Sequence, residues 1–300
     1  MSTTPRLVAS AKRAGPLAYL SCIRYREVLV LQGSPLFGAI FALGPPTPAK
    51  VASLLPLAAA SFLLVAHIFS FNDWAGAVAD SNDPNKAASV FSTKGVSVQG
   101  VLGLAIGLLV ASLLLFAALP VRTRWLALAI AALSIFYSHP LTNAKGIPVV
   151  SSFPHLLGGL LHFLLGYSLF HPIDARGTLI ALFFALTFTA GHLNQEVRDY
   201  DGDRLNRLRT NAVAFGKTTA FVTGFVIFTC AYADLFFLAL AGTVSPILGA
   251  LAVTLYSIHA YWSLATLRGG LTFERVSRFQ SRYRMLYGLI GLGMLATSLL

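Results

Sequence analysis

Acidic residues are scarce in this chain: 11 of 300, against 22 lysines and arginines, and charges of both signs make up only 11% of the sequence. A soluble domain carries nearer a quarter, and no polar stretch here is long enough to fold as a separate one. Cysteine is also rare. Cys22 and Cys230 stand alone, which excludes a disulfide framework and a cysteine-built metal site. The first 26 residues hold Arg6, Lys12, Arg13, Arg24 and Arg26, with no apolar core and no small-residue cleavage site among them. Residues 1–27 are therefore expected to form a retained cytoplasmic tail, not a signal peptide.

What fills the chain is apolar. Hydrophobic residues make up 56% and the mean hydropathy is +0.73, in repeated runs of about 18 to 22 residues that match a bilayer-crossing helix. The runs predict helices at 28–44, 51–71, 99–119, 125–138, 153–170, 177–193, 218–241, 245–266 and 284–300. The fold class expected is all-α, a polytopic membrane bundle of about nine transmembrane helices, with 28–300 as a single domain. Pro45, Pro46, Pro48, Pro120, Pro140 and Pro154 mark the breaks. Gly103 and Gly107, and Gly158 and Gly159, are expected to let helices approach closely. All but four of the 22 basic residues fall in the tail and in the connections after the second, fourth, sixth and eighth helices. That asymmetry predicts those segments to be cytoplasmic. The net charge of +11 thus reads as topology, with room for anionic lipid or a diphosphate, and no nucleic-acid partner is expected.

The few acids are not scattered. Asp73, Asp80, Asp83, Glu196, Asp199, Asp201 and Asp203 are seven of the eleven, confined to two connections on one predicted side. Asp199 and Asp203, four apart, share a helical face with Gln195. Asp73 and Asp80, seven apart, differ by only about 20° around a helix, and Gly76 lies on the face between them. Asp83 precedes Pro84, which disfavours helix, so it is expected to cap or leave it. Carboxylate oxygens in this arrangement suit Mg2+, which takes one or two carboxylates, water and substrate phosphate. Lys86, Lys94, Lys145, Arg198, Arg204, Arg207 and Arg209 stand nearby as phosphate-binding cations. Ordinary interfacial salt bridging is the alternative for either cluster alone.

These residues resemble the UbiA-type intramembrane prenyltransferases. The family's Asn-Asp-x-x-Asp-x-x-x-Asp motif reads here Asn72-Asp73-Trp74-Ala75-Gly76-Ala77-Val78-Ala79-Asp80, and its Asp-x-x-x-Asp reads Asp199-Tyr200-Asp201-Gly202-Asp203. Arg209-Thr210 through Phe215-Gly216-Lys217 is similar to the family's basic-Thr to Leu-Gly continuation, and Tyr137-Ser138-His139-Pro140 with Lys145 to its Tyr-Ser…Lys segment. Two departures stand out: Gly76 replaces the middle acid of the first motif, and Gln195 stands where relatives often have Asn.

The resemblance implies nine transmembrane helices around a lipid-open cavity, and Mg2+ held by Asp73, Asp80, Asp199 and Asp203. It implies a prenyl diphosphate whose leaving group is stabilised by metal and basic residues, and a hydrophobic acceptor that captures the allylic cation. By position, Lys145 and Arg209 are expected to clamp the diphosphate, with Arg204 and Lys86 as further candidates. Asn72 and Gln195 are expected to orient ligands or water, and Tyr137 belongs to the same segment as Lys145. Gly76 keeps a second hypothesis open, a catalytically weakened paralogue serving as a structural or lipid-binding subunit of a membrane complex. A small transporter would explain the hydropathy but neither acid cluster. The histidines His67, His155, His162 and His259 are expected to make interhelical hydrogen bonds, with His192, one turn before Gln195, as a supporting group to test. Asp234 is a costly charge within a helix, expected to face protein or a cavity.

Overall fold

The computed structural model describes residues 15–299; Arg6, Lys12 and Arg13 lie outside them. Among these residues the chain is helical, with no strand. The helices are α1 (Pro16–Leu20), α2 (Tyr25–Leu31), α3 (Gly33–Ala42), α4 (Pro48–Asn82), α5 (Val98–Phe116), α6 (Val121–Ser138) and α7 (Phe153–Tyr167). They continue with α8 (Ala175–Leu205), α9 (Asn211–Phe215), α10 (Lys217–Leu240), α11 (Pro246–Gly269) and α12 (Phe273–Leu299). Nine have ten or more residues, in the order expected, and five of these (α4, α5, α8, α10, α11) are long and apolar enough to cross a membrane unaided.

Boundaries depart from the apolar runs in an informative way. α4 and α8 do not stop where hydropathy falls; each continues for about a dozen residues and carries its acids on helix. Backbone hydrogen bonding propagates a helix past its apolar stretch as long as no breaker intervenes. Asp83, extended at φ −83° and ψ 115°, supplies the stop before Pro84. The first expected helix is two, α2 and α3, meeting at Gln32. α12 starts at Phe273, so Arg275, Arg278 and Arg282 are helical. Side chains cap several starts: Thr47 accepts from Lys50 N, Ser97 from Gly100 N, and Asp174 from Gly177 N at 2.7 Å.

α8 is the pillar. It packs against α7, α10 and α12 and touches α3 and α4. Of its apolar window 56% is buried within the bundle, against 17% for α5, so α8 is walled by protein while α5 faces outward. Apolar burial alone does not hold such helices together, because lipid is as apolar as their neighbours; close packing does. At Gly159 a Cβ would stand 2.7 Å from Ala185 Cα on α8, so that expectation holds. Gly103 and Gly107 have nothing within 4 Å, and the expectation of close approach there is corrected: they lie on the open face of α5. The tightest crossing is α3 on α7. Gly38 abuts the Phe163 carbonyl and Gly166 the Pro35 carbonyl, each too close for any side chain.

The histidines behave as expected of interhelical groups. His67 Nδ1 meets the Ala105 carbonyl of α5 at 2.8 Å, His162 lies 3.5 Å from Ser61 Oγ, and His259 Nδ1 lies 3.3 Å from the Tyr232 hydroxyl. His155 differs, pairing its Nδ1 with the Ser151 carbonyl one turn back.

Candidate active site at the ends of α4 and α8

The tertiary structure sets the last turns of α4 and α8 side by side. Gly202, inside the second acidic motif, has the Asp83 carboxylate against its backbone, where even a methyl group would overlap it. Asn206 donates its amide to the Ala79 carbonyl at 2.9 Å, and Asn82 reaches Asn206 at 3.3 Å. Lys86 closes the arrangement. Its ammonium lies 2.9 Å from Asp199, 3.6 Å from Asp80 and 3.9 Å from Asp83. One cation therefore spans both motifs. Burial works against the charge on Lys86, but Asp199, Asp80 and Asp203 outweigh it and hold the ammonium above its ordinary pKa.

Asp199 is also gripped by its neighbour Arg198 in a two-pronged contact, at 2.6 and 2.9 Å. Arg198 in turn reaches Gln280 of α12 at 3.1 Å. Asp203 is buried and feels the fields of Lys145 and Lys86. Lys145, on a single 3-10 turn (Ala144–Gly146), is half-buried and acts electrostatically on both Asp73 and Asp203. Asp73 pairs with Arg24, through Nε at 3.1 Å and through Nη2. Asp80 leans back over Gly76, where a Cβ would meet its Oδ2 at 3.3 Å. The space that a middle acid would enter is thus partly filled by Asp80 itself.

Other expected residues are placed differently. Tyr137 is half-buried and packs edge-on to His155, ring centres 4.9 Å apart. Asn72 is half-buried on α4. Gln195, Arg204 and Arg209 are exposed, and among the described residues neither arginine forms an ion pair with the acids. The neighbour of Gln195 is the residue drawn inward. Glu196 is 5% exposed and accepts from Ser151 Oγ, Asn211 Nδ2 and the Ala212 amide.

Four participants escaped the sequence reading. Arg24 was counted only as tail charge, yet the segment from residue 15 is folded, with Lys94 donating to the Ser21 carbonyl at 2.5 Å. Gly202 fills an unspecified position of the Asp-x-x-x-Asp motif and carries no signal of its own. Glu196 carried a signal, being an acid on the buried pillar. Asn211 carried none.

The donor set fits Mg2+. It consists of hard carboxylate oxygens from two helix ends, interleaved with cations suited to phosphate. Among the described residues no three Asp, Glu, His or Cys side chains converge on one metal position; Mg2+ commonly takes only one or two carboxylates, with water and substrate phosphate as its other ligands.

The fold has relatives among solved structures. A UbiA homologue from Archaeoglobus fulgidus, bound to GPP and Mg2+, matches with a TM-score of 0.71 at 18% identity, covering 94% of this chain and 98% of that one. The apo structure of a UbiA homologue from Aeropyrum pernix K1 matches at 0.72 and 18% identity, over 91% and 98%. A structure described as bearing on digeranylgeranylglyceryl phosphate synthase in membranes matches at 0.71 and 14% identity, over 94% and 98%. No curated protein sequence matches. The sequence pattern of the UbiA prenyltransferase family spans residues 33–279, from α3 into α12 and across both acidic motifs. The chain belongs to the UbiA prenyltransferase family.

Proposed function

We propose that this protein is an integral membrane prenyltransferase that transfers an isoprenoid group from a prenyl diphosphate to a hydrophobic or aromatic acceptor. The observation that carries the reading is the meeting of two acidic helix ends within reach of one ammonium, Lys86. Charges brought together at such cost in an apolar chain mark a functional site. Solved relatives bound to GPP or DMAPP with Mg2+ support it.

Asp73 and Asp80 from α4, with Asp199 and Asp203 from α8, would hold Mg2+. Bound there, the metal supplies positive charge to a departing diphosphate. The chain's own cations do the rest. Lys86, which contacts Asp199 and Asp80, and Lys145 would meet the phosphate oxygens, in a partly buried setting where each contact is strengthened. The allylic C–O bond breaks and its electron pair leaves with the diphosphate. The acceptor's electron pair forms the new bond to carbon, and the acceptor gives up one proton. Trp74, next to Asp73 on α4, packs on Phe71 at 5.1 Å, and Tyr137 packs edge-on to His155; an aromatic face turned to the site would favour a passing cation.

The acid-bearing end is assigned to the cytoplasmic side, from the distribution of Lys and Arg. In a background lacking Cys22 and Cys230, Arg278→Cys should label from that side and Ala241→Cys from the other; the reverse pattern would refute the orientation.

The direct test is mass spectrometry of lipid products from purified protein given Mg2+, isoprenoid diphosphates and a panel of acceptors. Magnesium-dependent release of diphosphate with a prenylated product is the expected result. Gly76 favours one second reading, a weakened paralogue acting within a membrane complex. It predicts no product from the natural sequence at saturating Mg2+ and some product from Gly76→Asp.

A further inference from the structure

We propose that Glu196 and Asn211 form a positioning clasp that holds the 143–152 loop, and with it Lys145, over the acid pair by fixing a strained turn at Val149. The proposal rests on the reading of Lys145 as a diphosphate-binding cation.

The loop between α6 and α7 has little to hold it. Across 139–152 only Ala144 and Ser151 are fully enclosed, while Leu141 is 90% and Val149 66% exposed. Hydrophobic burial therefore leaves the loop's path open, and hydrogen bonds decide it. Val149 has φ +66° and ψ −49°, with the Val150 amide bonded to the Pro148 carbonyl at 2.8 Å. That is a γ-turn of the rare, strained hand, and a β-branched residue is the least suited to positive φ. Such a conformation persists only where its surroundings over-determine it.

Asn211 supplies the restraint. Its Oδ1 accepts the Val149 amide at 2.6 Å, and its Nδ2 faces Ser151 Oγ at 3.0 Å, Ser152 Oγ at 3.1 Å and Glu196 Oε1 at 3.1 Å. Glu196 in turn accepts from Ser151 Oγ at 3.1 Å and the Ala212 amide at 3.3 Å. Two buried side chains thus join the pillar α8, the start of α9 and the Lys145 loop. The His192 imidazole, 3.1 Å from Glu196 but out of line for a hydrogen bond, stacks on His155 with centres 3.6 Å apart. His155 closes the ring through the Ser151 carbonyl at 2.9 Å. Lys145 lies four residues before Val149, between two turns of positive φ at Asn143 and Val149. If Val149 relaxes to negative φ, the path of the chain between Lys145 and α7 changes, and the backbone that carries Lys145 is no longer tied to α8.

Two measurements on the purified full chain decide the matter. Hydrogen exchange should show the Val149 amide protected in the natural sequence despite its exposed side chain, and unprotected in Asn211→Ala. Unchanged exchange overturns the clasp whatever the activity. The second measurement is a double-mutant cycle on affinity for inorganic diphosphate with Mg2+, and on KM for the prenyl diphosphate. Asn211→Ala should weaken both about tenfold, the loss of one hydrogen bond to a charged group, and should do little once Lys145→Ala is present. Val149→Gly, which takes positive φ without strain, should restore much of the Asn211→Ala loss. Independent, multiplying effects of Asn211→Ala and Lys145→Ala overturn the route through Lys145. Failure of the natural protein to bind diphosphate refutes the function proposed above, while the exchange result still decides the clasp.

Discussion

The two acidic motifs sit on similar helix ends but are held in different ways. On α4, Asp73 is met by Arg24, 49 residues earlier in the chain, and Asp80 and Asp83 by Lys86 from the following loop. Its middle position is Gly76. On α8, Asp199 carries its own Arg198, and Asp203 is buried on a helix that protein surrounds. The α4 half draws all its cations from outside its helix, whereas the α8 half, which shares Lys86, also carries its own arginine on the pillar.

The largest break in this comparison should come from the pillar side. Asp199→Asn or Asp203→Asn keeps shape but removes charge, and each should lower diphosphate turnover at least about 100-fold, the scale of a lost transition-state electrostatic contact. Steady-state turnover checks this, and rates within a few-fold of the natural protein would remove both residues from the mechanism. Next is the junction itself. Gly202→Ala pushes a methyl group into Asp83 and should cost about 1–3 kcal/mol of stability, with turnover falling as the helix ends part. Gly103→Ala, in open space on α5, should leave the melting temperature unchanged or raise it slightly. Equal effects of the two substitutions would contradict the close approach.

The α4 side should respond more gently. Gly76→Asp adds an acid where Asp80 now leans, so turnover should stay within a few-fold while half-saturation moves to lower Mg2+, read from a magnesium titration. No shift would mean that the side chain at 76 faces away from the ion. The pH response follows from Lys86. Its pKa in the folded protein is raised, so its contribution to stability is fully present below the unfolded value of about 10.4. That contribution is lost only as pH rises through the folded value. Thermal stability should therefore show no loss from this group between about pH 7 and 10. Lys86→Met should lower stability throughout that range. The smallest effect is expected far from the acids, at Asp174. Asp174→Ala removes the cap of α8 and should cost about 1 kcal/mol or less, since the carboxylate is partly exposed, with the magnesium dependence untouched.

Much of this was readable before any coordinates. A helix across a membrane must satisfy its own backbone and show an apolar surface to lipid, so runs of apolar residues broken by proline report the nine helices in order. Charge is costly in such a chain, so Asp73, Asp80, Asp199 and Asp203 stood out by being there at all. The i, i+4 and i, i+7 spacings correctly put each pair on one helical face.

What the sequence alone could not decide was which distant groups meet. Gly103 and Gly202 look alike as letters; one faces open space and the other bears an aspartate, because close approach depends on where the neighbouring helix runs. Gln195 and Glu196 are adjacent, yet only the rotation of α8 within the bundle buries Glu196 and exposes Gln195. The pairing of Arg24 with Asp73, and of Asn211 with Val149, joins residues 49 and 62 positions apart in the chain. Local periodicity determined the helices and the acid faces, since both depend on contacts a few residues apart. Partners, close approaches and the path of the Lys145 loop were set by tertiary packing, since they depend on contacts between residues far apart in the chain.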